Sequence, residues 1–206
     1  NSGAKIMLCD SRNEPLLTPV ADAAGAHLKT LNTDGGGTLA TEAAQQPATF
    51  ETVDRDVDDL AAFLYTSGTT GRSKGAMLTQ GNLLSNAETL AVYWCFTDRD
   101  VLLNALPIFH THGLFVATNI TLIAGGSMIF LPKFDLDQVL QHLPHASTMM
   151  GVPSFYTRLL GDGRFDRELV DHMRLFVSGR VPLLSENHAQ FVARTGPRLT
   201  GRSGRM

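Results

Sequence analysis

The segment from Leu64 to Gly75, LYTSGTTGRSKG, brings glycines, hydroxyl side chains and cations together. Glycine allows backbone conformations and close approaches that a side chain would block. Backbone N–H groups and hydroxyls can donate hydrogen bonds to phosphate oxygens, and Arg72 and Lys74 add positive charge. The composition therefore indicates a phosphate-binding loop, with a polar surface hairpin as the alternative.

The order of these residues does not fit the P-loop, in which Gly, four residues and Gly-Lys-Ser/Thr precede a helix. Here Lys74 is followed by Gly75, and the flanking segments LAAFLYT and GAMLT have the composition of strands. We therefore expect a loop between two strands of a hairpin, with the first strand buried.

Two histidines, His110 and His112, lie in the segment HTHG, which we expect to be a loop between the strand VLLNALP and the helix LFVATNITLIA. Histidines two residues apart could belong to a zinc site, but no third ligand is apparent in the sequence. The alternative, which we favour, is a core or pocket imidazole.

The rest of the chain alternates strand-like and helix-like segments, which predicts a layered α/β fold with a largely parallel sheet and flanking helices. Near the start we expect a strand at KIMLCD, a helix at PVADAAGAHL and a surface loop over residues 32–51 that contains three consecutive glycines. After the hairpin we expect a helix with Asn82 as its N-cap. The later strands are expected at SMIFLP, STMMGVP and MRLFVSG, with helices at LDQVLQHL, SFYTRLL and SENHAQFVART.

The composition is that of an ordinary globular domain, with 206 residues, 43% hydrophobic residues, 18% charged residues and a net charge of −3. It indicates neither disorder nor a nucleic-acid partner. Cys9 and Cys95 lack disulfide or metal-site spacing, which favours a reducing compartment. Neither a targeting signal nor a membrane span is apparent. We expect a soluble, cytoplasmic protein, and the sequence does not indicate its oligomeric state.

The segment YTSGTTGRSKG closely resembles the signature loop of the adenylate-forming enzymes, a superfamily of acyl-CoA synthetases, luciferases and peptide-synthetase adenylation domains. In that family the loop grips the β- and γ-phosphates of ATP. The residues that the resemblance assigns to phosphate binding are Thr66, Ser67, Gly68, Thr69, Thr70, Gly71 and Lys74.

Two further segments resemble the walls of the family's acyl and nucleotide site. ALPIFHTHGL is similar to the segment that places a histidine, here His110, with Thr111 beside the acyl pocket and the path of the thiol. RLFVSG is similar to the segment that lines the adenine and acyl sites. It keeps Ser178 and Gly179 but has Arg180-Val181 where the family commonly has two small residues.

The segment GVPSFYTRLL, together with GSMIFLPKFD and GAMLTQGNLLSN, most resembles the malonyl-CoA synthetase branch of the family. Malonate carries a second carboxylate, and burial of that charge is costly unless a donor such as arginine pairs with it. Arg158 matches the position where these enzymes place an arginine in the acyl pocket. The alternative is a surface arginine on an amphipathic helix.

The resemblance implies an AMP-forming acid–thiol ligase, most like a malonate–CoA ligase of fatty acid metabolism. Its small-molecule partners would be a malonate-like carboxylate, ATP with Mg²⁺, and coenzyme A. In the first step a carboxylate attacks the α-phosphate of ATP to give an acyl-adenylate and pyrophosphate. Coenzyme A then displaces AMP. The family's catalytic lysine lies on a C-terminal domain, so the resemblance assigns no catalytic residue and no metal ligand within this chain.

We expect three regions: an N-terminal α/β flank over residues 1–57, an ATP- and acyl-binding core over 58–195, and an atypical tail over 196–206 that is truncated or out of frame. The tail holds Arg202, the nearest counterpart of a second family arginine, and lacks the Thr-Glu pair that serves nucleotide and magnesium binding. On this interpretation the chain is an incomplete part of the large N-terminal domain and is inactive alone. The alternatives are another acid–CoA ligase, a peptide-synthetase adenylation domain or a non-catalytic nucleotide-binding remnant.

Overall fold

The computed structural model describes residues 3–66, 74–179 and 185–196 of the chain. It divides into two units, with the boundary between Arg55 and Asp56. Within the described ranges, no helix is both long enough and apolar enough to cross a membrane.

The first unit contains a two-stranded parallel sheet, with β1 (Ile6–Cys9) paired to β2 (His27–Thr30). The helix α1 (Glu14–Ala24) connects the two strands and ends at Gly25, which has a left-handed backbone. The helix therefore begins earlier than expected, and the residues HL of the expected helix PVADAAGAHL belong to β2. The expected strand at KIMLCD is confirmed as β1.

A second short helix, α2 (Thr38–Ala43), lies inside the segment that we expected to be a loop. Two reciprocal hydrogen bonds fix its first turn on β2. The backbone N–H of Thr30 donates to Thr38 Oγ1, and the backbone N–H of Thr38 donates to Thr30 Oγ1, each over 2.9 Å. These contacts join residues of two different elements, so local sequence propensity alone does not reveal the helix.

The second unit begins with an antiparallel hairpin of β3 (Leu60–Thr66) and β4 (Lys74–Thr79), in which Thr66 pairs with Lys74. The prediction of two strands around the loop is confirmed. The prediction that the first strand is buried is wrong, because Leu60 and Tyr65 are 47% and 51% exposed. Among the described residues, the two strands pair only with each other and pack against the next helix.

That helix, α3 (Gln80–Tyr93), begins with a capping box. Thr79 Oγ1 accepts from the backbone N–H of Asn82, and the Asn82 side chain accepts from the backbone N–H of Thr79, both over 3.1 Å. The N-cap is therefore Thr79 rather than Asn82. Asn82 contributes as the third helical residue, a position from which a side chain can reach back to the cap.

The core of the second unit is a parallel sheet of four strands, which confirms the predicted layered α/β fold. The strands stand in the order β6 (Ser127–Phe130), β5 (Val101–Asn104), β7 (Thr148–Gly151) and β8 (Leu175–Ser178). The strands β5, β7 and β8 are in register across Leu103, Met149 and Phe176. All four carboxyl ends therefore lie along one edge of the sheet.

Side chains alternate between the two faces of this sheet, as they do in any strand. On one face Leu102, Met150 and Val177 pack against α3, a π-helix (His112–Thr118) and α4 (Asn119–Ile123). On the other face Leu103, Met149 and Phe176 pack against the other helices of the second unit. These are α5 (Leu136–His142), a 3₁₀ turn (Leu143–His145), α6 (Pro153–Leu160) and α7 (Ser185–Thr195).

Candidate active site at the carboxyl edge of the parallel sheet

The carboxyl edge contains a position where the chain leaves two neighbouring strands in opposite directions. After β5 the chain enters the π-helix on one face, and after β7 it enters α6 on the other face. Because β5 and β7 are adjacent, the two outgoing connections open a crevice between their ends. Open α/β sheets bind ligands at such switch points. The segment 105–112, Gly151 and the end of β8 are therefore the first candidates for a site.

The π-helix is held tightly over this edge. A Cβ at Gly113 would overlap the backbone carbonyl of Pro107, with only 2.9 Å to its carbon, so a side chain does not fit there. At its start, the backbone N–H of His112 donates to His110 Nδ1 over 3.2 Å, and that of Leu114 donates to the carbonyl of His110 over 3.0 Å. Part of the segment HTHG, expected to be a loop, is thus helical. Single π-turns are frequent at functional sites.

His112 is buried among these elements, with 7% of its surface exposed. Burial, with a smaller contribution from the charge of His110, lowers the pKa of His112 to about 4. The imidazole is therefore neutral at pH 7. A neutral imidazole offers one N–H donor and one acceptor, which suits a polar pocket better than an ion pair.

Gly179 faces the ring of His112 at the end of β8. A Cβ at this position would stand 2.5 Å from His112 Nδ1 and closer still to Cε1, so only glycine fits opposite the ring. The backbone N–H of Gly179 donates to the carbonyl of Gly151 over 3.0 Å, which holds the chain in line with β7. A glycine thus stands at the end of β7 and another directly after the end of β8.

Ser178, beside Gly179, carries the polar atom at this edge that most needs a ligand. Its side chain is 6% exposed, and Oγ has no hydrogen-bond partner among the residues that the structure describes. An unpaired buried hydroxyl costs about 1–3 kcal/mol, and such atoms in folded proteins call for a specific explanation. A bound polar molecule at the switch point would supply the missing partner.

Arg158 lies elsewhere in the second unit. It is exposed in the last turn of α6, on the face of the sheet opposite the π-helix, and its Cζ lies 4.7 Å from the ring centre of Phe134. Phe134 in turn stacks on Phe155 at 4.1 Å. This contact is the one expected of a surface arginine, and a place for Arg158 in an acid pocket stays a prediction.

The loop that motivated the phosphate assignment is only partly described. Its ends are the backbone pair of Thr66 and Lys74, and the Lys74 side chain is exposed. The predicted phosphate-binding residues Ser67, Gly68, Thr69, Thr70 and Gly71 lie outside the described residues, as do Arg180-Val181 and Arg202.

Across residues 3–66, 74–179 and 185–196, no group of three or more His, Cys, Asp or Glu side chains is placed to hold a metal ion. His110 and His112 contact each other through a backbone N–H, not through a shared metal geometry. The described residues therefore do not fit a resident Mg²⁺, and no chemical step is assigned to one.

Sequence reasoning placed His110, Thr111, Ser178 and Gly179 together, and the structure brings His110, Ser178 and Gly179 to one edge of the sheet. Sequence reasoning overlooked the contact of His112 with Gly179. No local pattern reveals that contact, because it depends on the order of strands in the sheet.

Comparison with known proteins agrees with this architecture. The model of the AMP-binding enzyme family matches residues 1–201. The chain belongs to the AMP-binding enzyme family. Its resemblance to the adenylate-forming enzymes is thereby confirmed.

Individual members of the family show which kinds of enzyme the chain is similar to. The malonate–CoA ligase of Arabidopsis thaliana is 30% identical over 99% of this chain, and the chain covers 37% of that protein. Among solved structures, ATP-bound MatB from Rhodopseudomonas palustris is 55% identical, with a TM-score of 0.92 over 97% of this chain and 40% of MatB. A malonyl-CoA ligase bound to methylmalonyl-CoA and AMP is 26% identical, with a TM-score of 0.73 over 98% of this chain and 52% of that ligase. The chain thus spans between about a third and a half of the length of these AMP-binding enzymes.

Proposed function

We propose that this protein acts as an ATP-dependent, AMP-forming acid–CoA ligase whose acid is malonate. The observation that carries the proposal is the 55% identity to ATP-bound MatB over nearly the whole chain. Relatives named malonate–CoA ligases, at 30% and 31% identity, support the choice of acid. The switch-point crevice supplies a place in the fold where the chemistry can occur.

In the proposed first step, a carboxylate oxygen of malonate attacks the α-phosphorus of ATP. A new P–O bond forms, the bond to the β-phosphate oxygen breaks, and pyrophosphate leaves. The protein contributes position and electrostatics rather than covalent chemistry. The loop from Thr66 to Lys74 would grip the β- and γ-phosphates, since its hydroxyls, backbone N–H groups and ammonium are all donors.

The acid would lie at the carboxyl edge of the parallel sheet. There the Ser178 hydroxyl lacks a partner among the described residues, and the neutral His112 can donate one N–H. His110 and Thr111 begin the same connection from β5 and would border the acyl group. Water-poor surroundings strengthen each of these hydrogen bonds.

In the second step, the sulfur of coenzyme A attacks the carbonyl carbon of malonyl-adenylate. A thioester bond forms, the bond to the AMP phosphate oxygen breaks, and the thiol proton leaves to solvent. Mg²⁺ enters this proposal as a companion of the ATP phosphates in solution, not as an ion held by the described side chains.

The second carboxylate of malonate needs a cationic partner if it is buried. Arg158 is proposed for this role. From the last turn of α6 its guanidinium would have to leave the ring of Phe134 and turn toward the acid. An exposed cation–π contact stabilises by only about 0.5–1 kcal/mol, so a charged ligand could outcompete it.

The test is a chimera in which this chain replaces the matching segment of Rhodopseudomonas MatB. Malonate-dependent release of pyrophosphate and formation of a CoA thioester are measured beside unaltered MatB, with a panel of monocarboxylic, aromatic and dicarboxylic acids. The proposal predicts both products with malonate as the preferred acid. Preference for a long-chain or aromatic acid would show that this acid, and not malonate, is the substrate. ATP binding without any acid-dependent product would indicate a non-catalytic nucleotide-binding module.

Arg158→Leu in the active chimera tests the acid-pocket role of the arginine. We expect at least a tenfold rise in KM for malonate and little change for acetate, which lacks a second charge. Unchanged selectivity between malonate and acetate would indicate that Arg158 is a surface residue outside the acid pocket.

A further inference from the structure

We propose that Tyr156 is a positioning residue for the acid site, whose hydroxyl holds the end of β8 so that the neighbouring Ser178 can bind the acid. The inference rests on the proposed function, since it presumes that the acid accepts a hydrogen bond from Ser178. Tyr156 is not among the residues that the family resemblance assigns to the site.

The Tyr156 side chain connects α6 to the end of β8. Its hydroxyl donates to the backbone carbonyl of Val177 over 2.6 Å, at the short end of the range for a hydroxyl donor. The side chain is fully buried, and burial raises the pKa of Tyr156, so the hydroxyl keeps the proton that it donates. The accepting carbonyl belongs to the peptide group that joins Val177 to Ser178. The bond therefore fixes the backbone from which the Ser178 side chain extends.

The ring of Tyr156 is held by close packing. Phe176 and Phe191 meet it edge to face, with ring centres 6.3 and 5.7 Å away. Gly151, the last residue of β7, lies so close that a Cβ there would stand 3.3 Å from the ring. Packed interiors leave little room for a side chain to move. The hydroxyl therefore stands at a fixed point beside the end of β8.

The position of Ser178 depends on such an anchor in the backbone. Its Oγ is nine-tenths buried and has no hydrogen-bond partner among residues 3–66, 74–179 and 185–196, so no bond of its own side chain holds it there. That unpaired hydroxyl is also the independent sign that a polar molecule binds at this edge. The backbone is held on both sides of Ser178, by Tyr156 at the Val177 carbonyl and by Gly151 at the Gly179 N–H.

Loss of the Tyr156 hydroxyl should weaken acid binding without removing any group that touches the acid. A displaced Ser178 would bind the acid less well in the ground state and in the transition state alike, which raises KM and leaves kcat unchanged. A merely structural role would instead reduce the fraction of folded enzyme, which lowers the apparent kcat and leaves KM as it was. The two roles therefore differ in the kinetic constant that they change.

The activity arm of the test uses the chimera and Tyr156→Phe. We expect the KM for malonate to rise about tenfold, with kcat and the KM for ATP nearly unchanged, because small displacements of a binding group have large effects. Replacement of Tyr156 by 4-aminophenylalanine keeps an N–H donor that is weaker than the hydroxyl, and should raise this KM about threefold. This second variant decides the question if Tyr156→Phe does not fold. An unchanged KM for malonate in the folded variants would overturn the positioning role.

Thr195→Val is the matched control for Tyr156→Phe. Thr195 is also buried, and its hydroxyl donates to the backbone carbonyl of Phe191 over 2.8 Å, but this bond lies within α7 and joins no second element. The KM for malonate should therefore stay as in the parent chimera. A rise as large as that of Tyr156→Phe would contradict a specific role for Tyr156.

A double-mutant cycle shows whether Tyr156 acts through Ser178. In Tyr156→Phe/Ser178→Ala the KM for malonate should lie within about twofold of the KM of Ser178→Ala alone, because residues that act through one another are not additive. If the two increases in KM multiply instead, Tyr156 and Ser178 act independently and the proposal is wrong.

The exchange arm uses this chain alone and needs no activity. Tyr156→Phe should speed amide hydrogen exchange at Gly179 about tenfold relative to exchange at Leu103 in β5, and NMR follows both. The ratio removes a general loss of stability, which speeds exchange at both residues, and Thr195→Val should leave it unchanged. Equal ratios in the parent and in Tyr156→Phe would contradict the anchor while leaving the proposed function intact. An unmutated chimera without acid-dependent product would contradict the proposed function, and the positioning role with it.

Discussion

The amino and carboxyl edges of the four-stranded sheet differ in how fully their buried polar groups are hydrogen-bonded. At the amino edge, where the strands begin, Asp100 is 3% exposed and both of its carboxylate oxygens are bonded. Arg174 donates from Nε to Oδ1 and from Nη2 to Oδ2, each over 2.6 Å. Ser147 Oγ donates to Oδ1 over 2.7 Å, and the backbone N–H of Thr97 donates to Oδ2 over 2.8 Å. This cluster, the amino-edge network, joins the segments before β5, β7 and β8.

At the carboxyl edge, the polar side chains of Ser178 and His112 are not held in such a network. Ser178 Oγ lacks a partner among the described residues, and His112 is buried and neutral instead of charged and paired. The same sheet therefore has a fully hydrogen-bonded network at its amino edge, which fixes the strands, and an open carboxyl edge, where a ligand can bind. Unsatisfied groups lower stability, and folds concentrate them where function requires them.

The largest loss of stability should come from removing the arginine of the amino-edge network. Burial raises the pKa of Asp100, but hydrogen bonds from Arg174, Ser147 and Thr97 outweigh it and hold the pKa below its ordinary value. Arg174→Met leaves a buried carboxylate without its cation, and we expect a loss of about 3–5 kcal/mol in the free energy of unfolding at pH 7. Urea denaturation followed by circular dichroism measures it.

Arg164→Met is the control for this substitution, because Arg164 bonds Asp137 and Asp162 on the surface, where an ion pair contributes about 0–1 kcal/mol. Equal losses in the two variants would mean that the network is no more important than a surface pair.

The second-largest effect is a loss of stability at acid pH. The pKa of His112 falls from 6.5 in the unfolded chain to about 4 in the folded protein. The unfolded state therefore binds more protons between these values, so stability is full above pH 6.5 and declines as pH falls toward 4. At about 1.4 kcal/mol per pKa unit, the decline is on the order of 3 kcal/mol.

His112→Asn should remove this part of the acid sensitivity, as urea unfolding at several pH values would reveal. Asp100 adds to the loss only at the acid end of this range, because its pKa is lowered on folding and its stabilisation is lost as pH falls below the ordinary value of 3.8. A variant whose stability falls as steeply as that of the parent between pH 6.5 and 4 would refute a buried neutral imidazole.

A smaller effect separates Ser147, at the amino edge, from Ser178, at the carboxyl edge. Ser147 Oγ donates to Asp100 and accepts from the backbone N–H of Val101 over 3.0 Å. Ser147→Ala should thus cost about 1–3 kcal/mol, because it leaves a carboxylate oxygen and a backbone N–H without this partner. Thermal and urea unfolding both report the loss, and a change below 0.5 kcal/mol, on the order of an ordinary surface substitution, would speak against the network.

The smallest effect on stability is expected at the open edge. Ser178→Ala removes a hydroxyl that makes no hydrogen bond among the described residues, so the free energy of unfolding should stay within about 0.5 kcal/mol or rise. In the chimera the same substitution should lower kcat/KM for malonate at least tenfold. Destabilisation comparable to that of Ser147→Ala would show that Ser178 has a structural partner, and the contrast between the edges would fail.

Much of the fold could be predicted from the sequence, because the continuous apolar runs in VLLN, TMMG and LFVS indicate burial on both faces of a sheet. The helix α2 escaped prediction because Thr30 anchors it from another element. The cap of α3 was misplaced by three residues because Thr79 and Asn82 share the capping box. These errors lie where a tertiary or reciprocal hydrogen bond decides a boundary.

The site was predictable only in parts. The types of residue at 110, 178 and 179 pointed to the carboxyl edge through a family resemblance. That His112 meets Gly179 follows from the strand order β6-β5-β7-β8, which no local pattern records. Arg158 is the reverse case, since its residue type suits a dicarboxylate while its contact with Phe134 is that of a surface residue.

The most direct test of the open edge as the acid site is a crystal structure of the chimera with ATP and a non-reacting malonate analogue. The account predicts the analogue at the switch point, within hydrogen-bond distance of Ser178 Oγ. An analogue bound with ATP but away from Ser178 would contradict it.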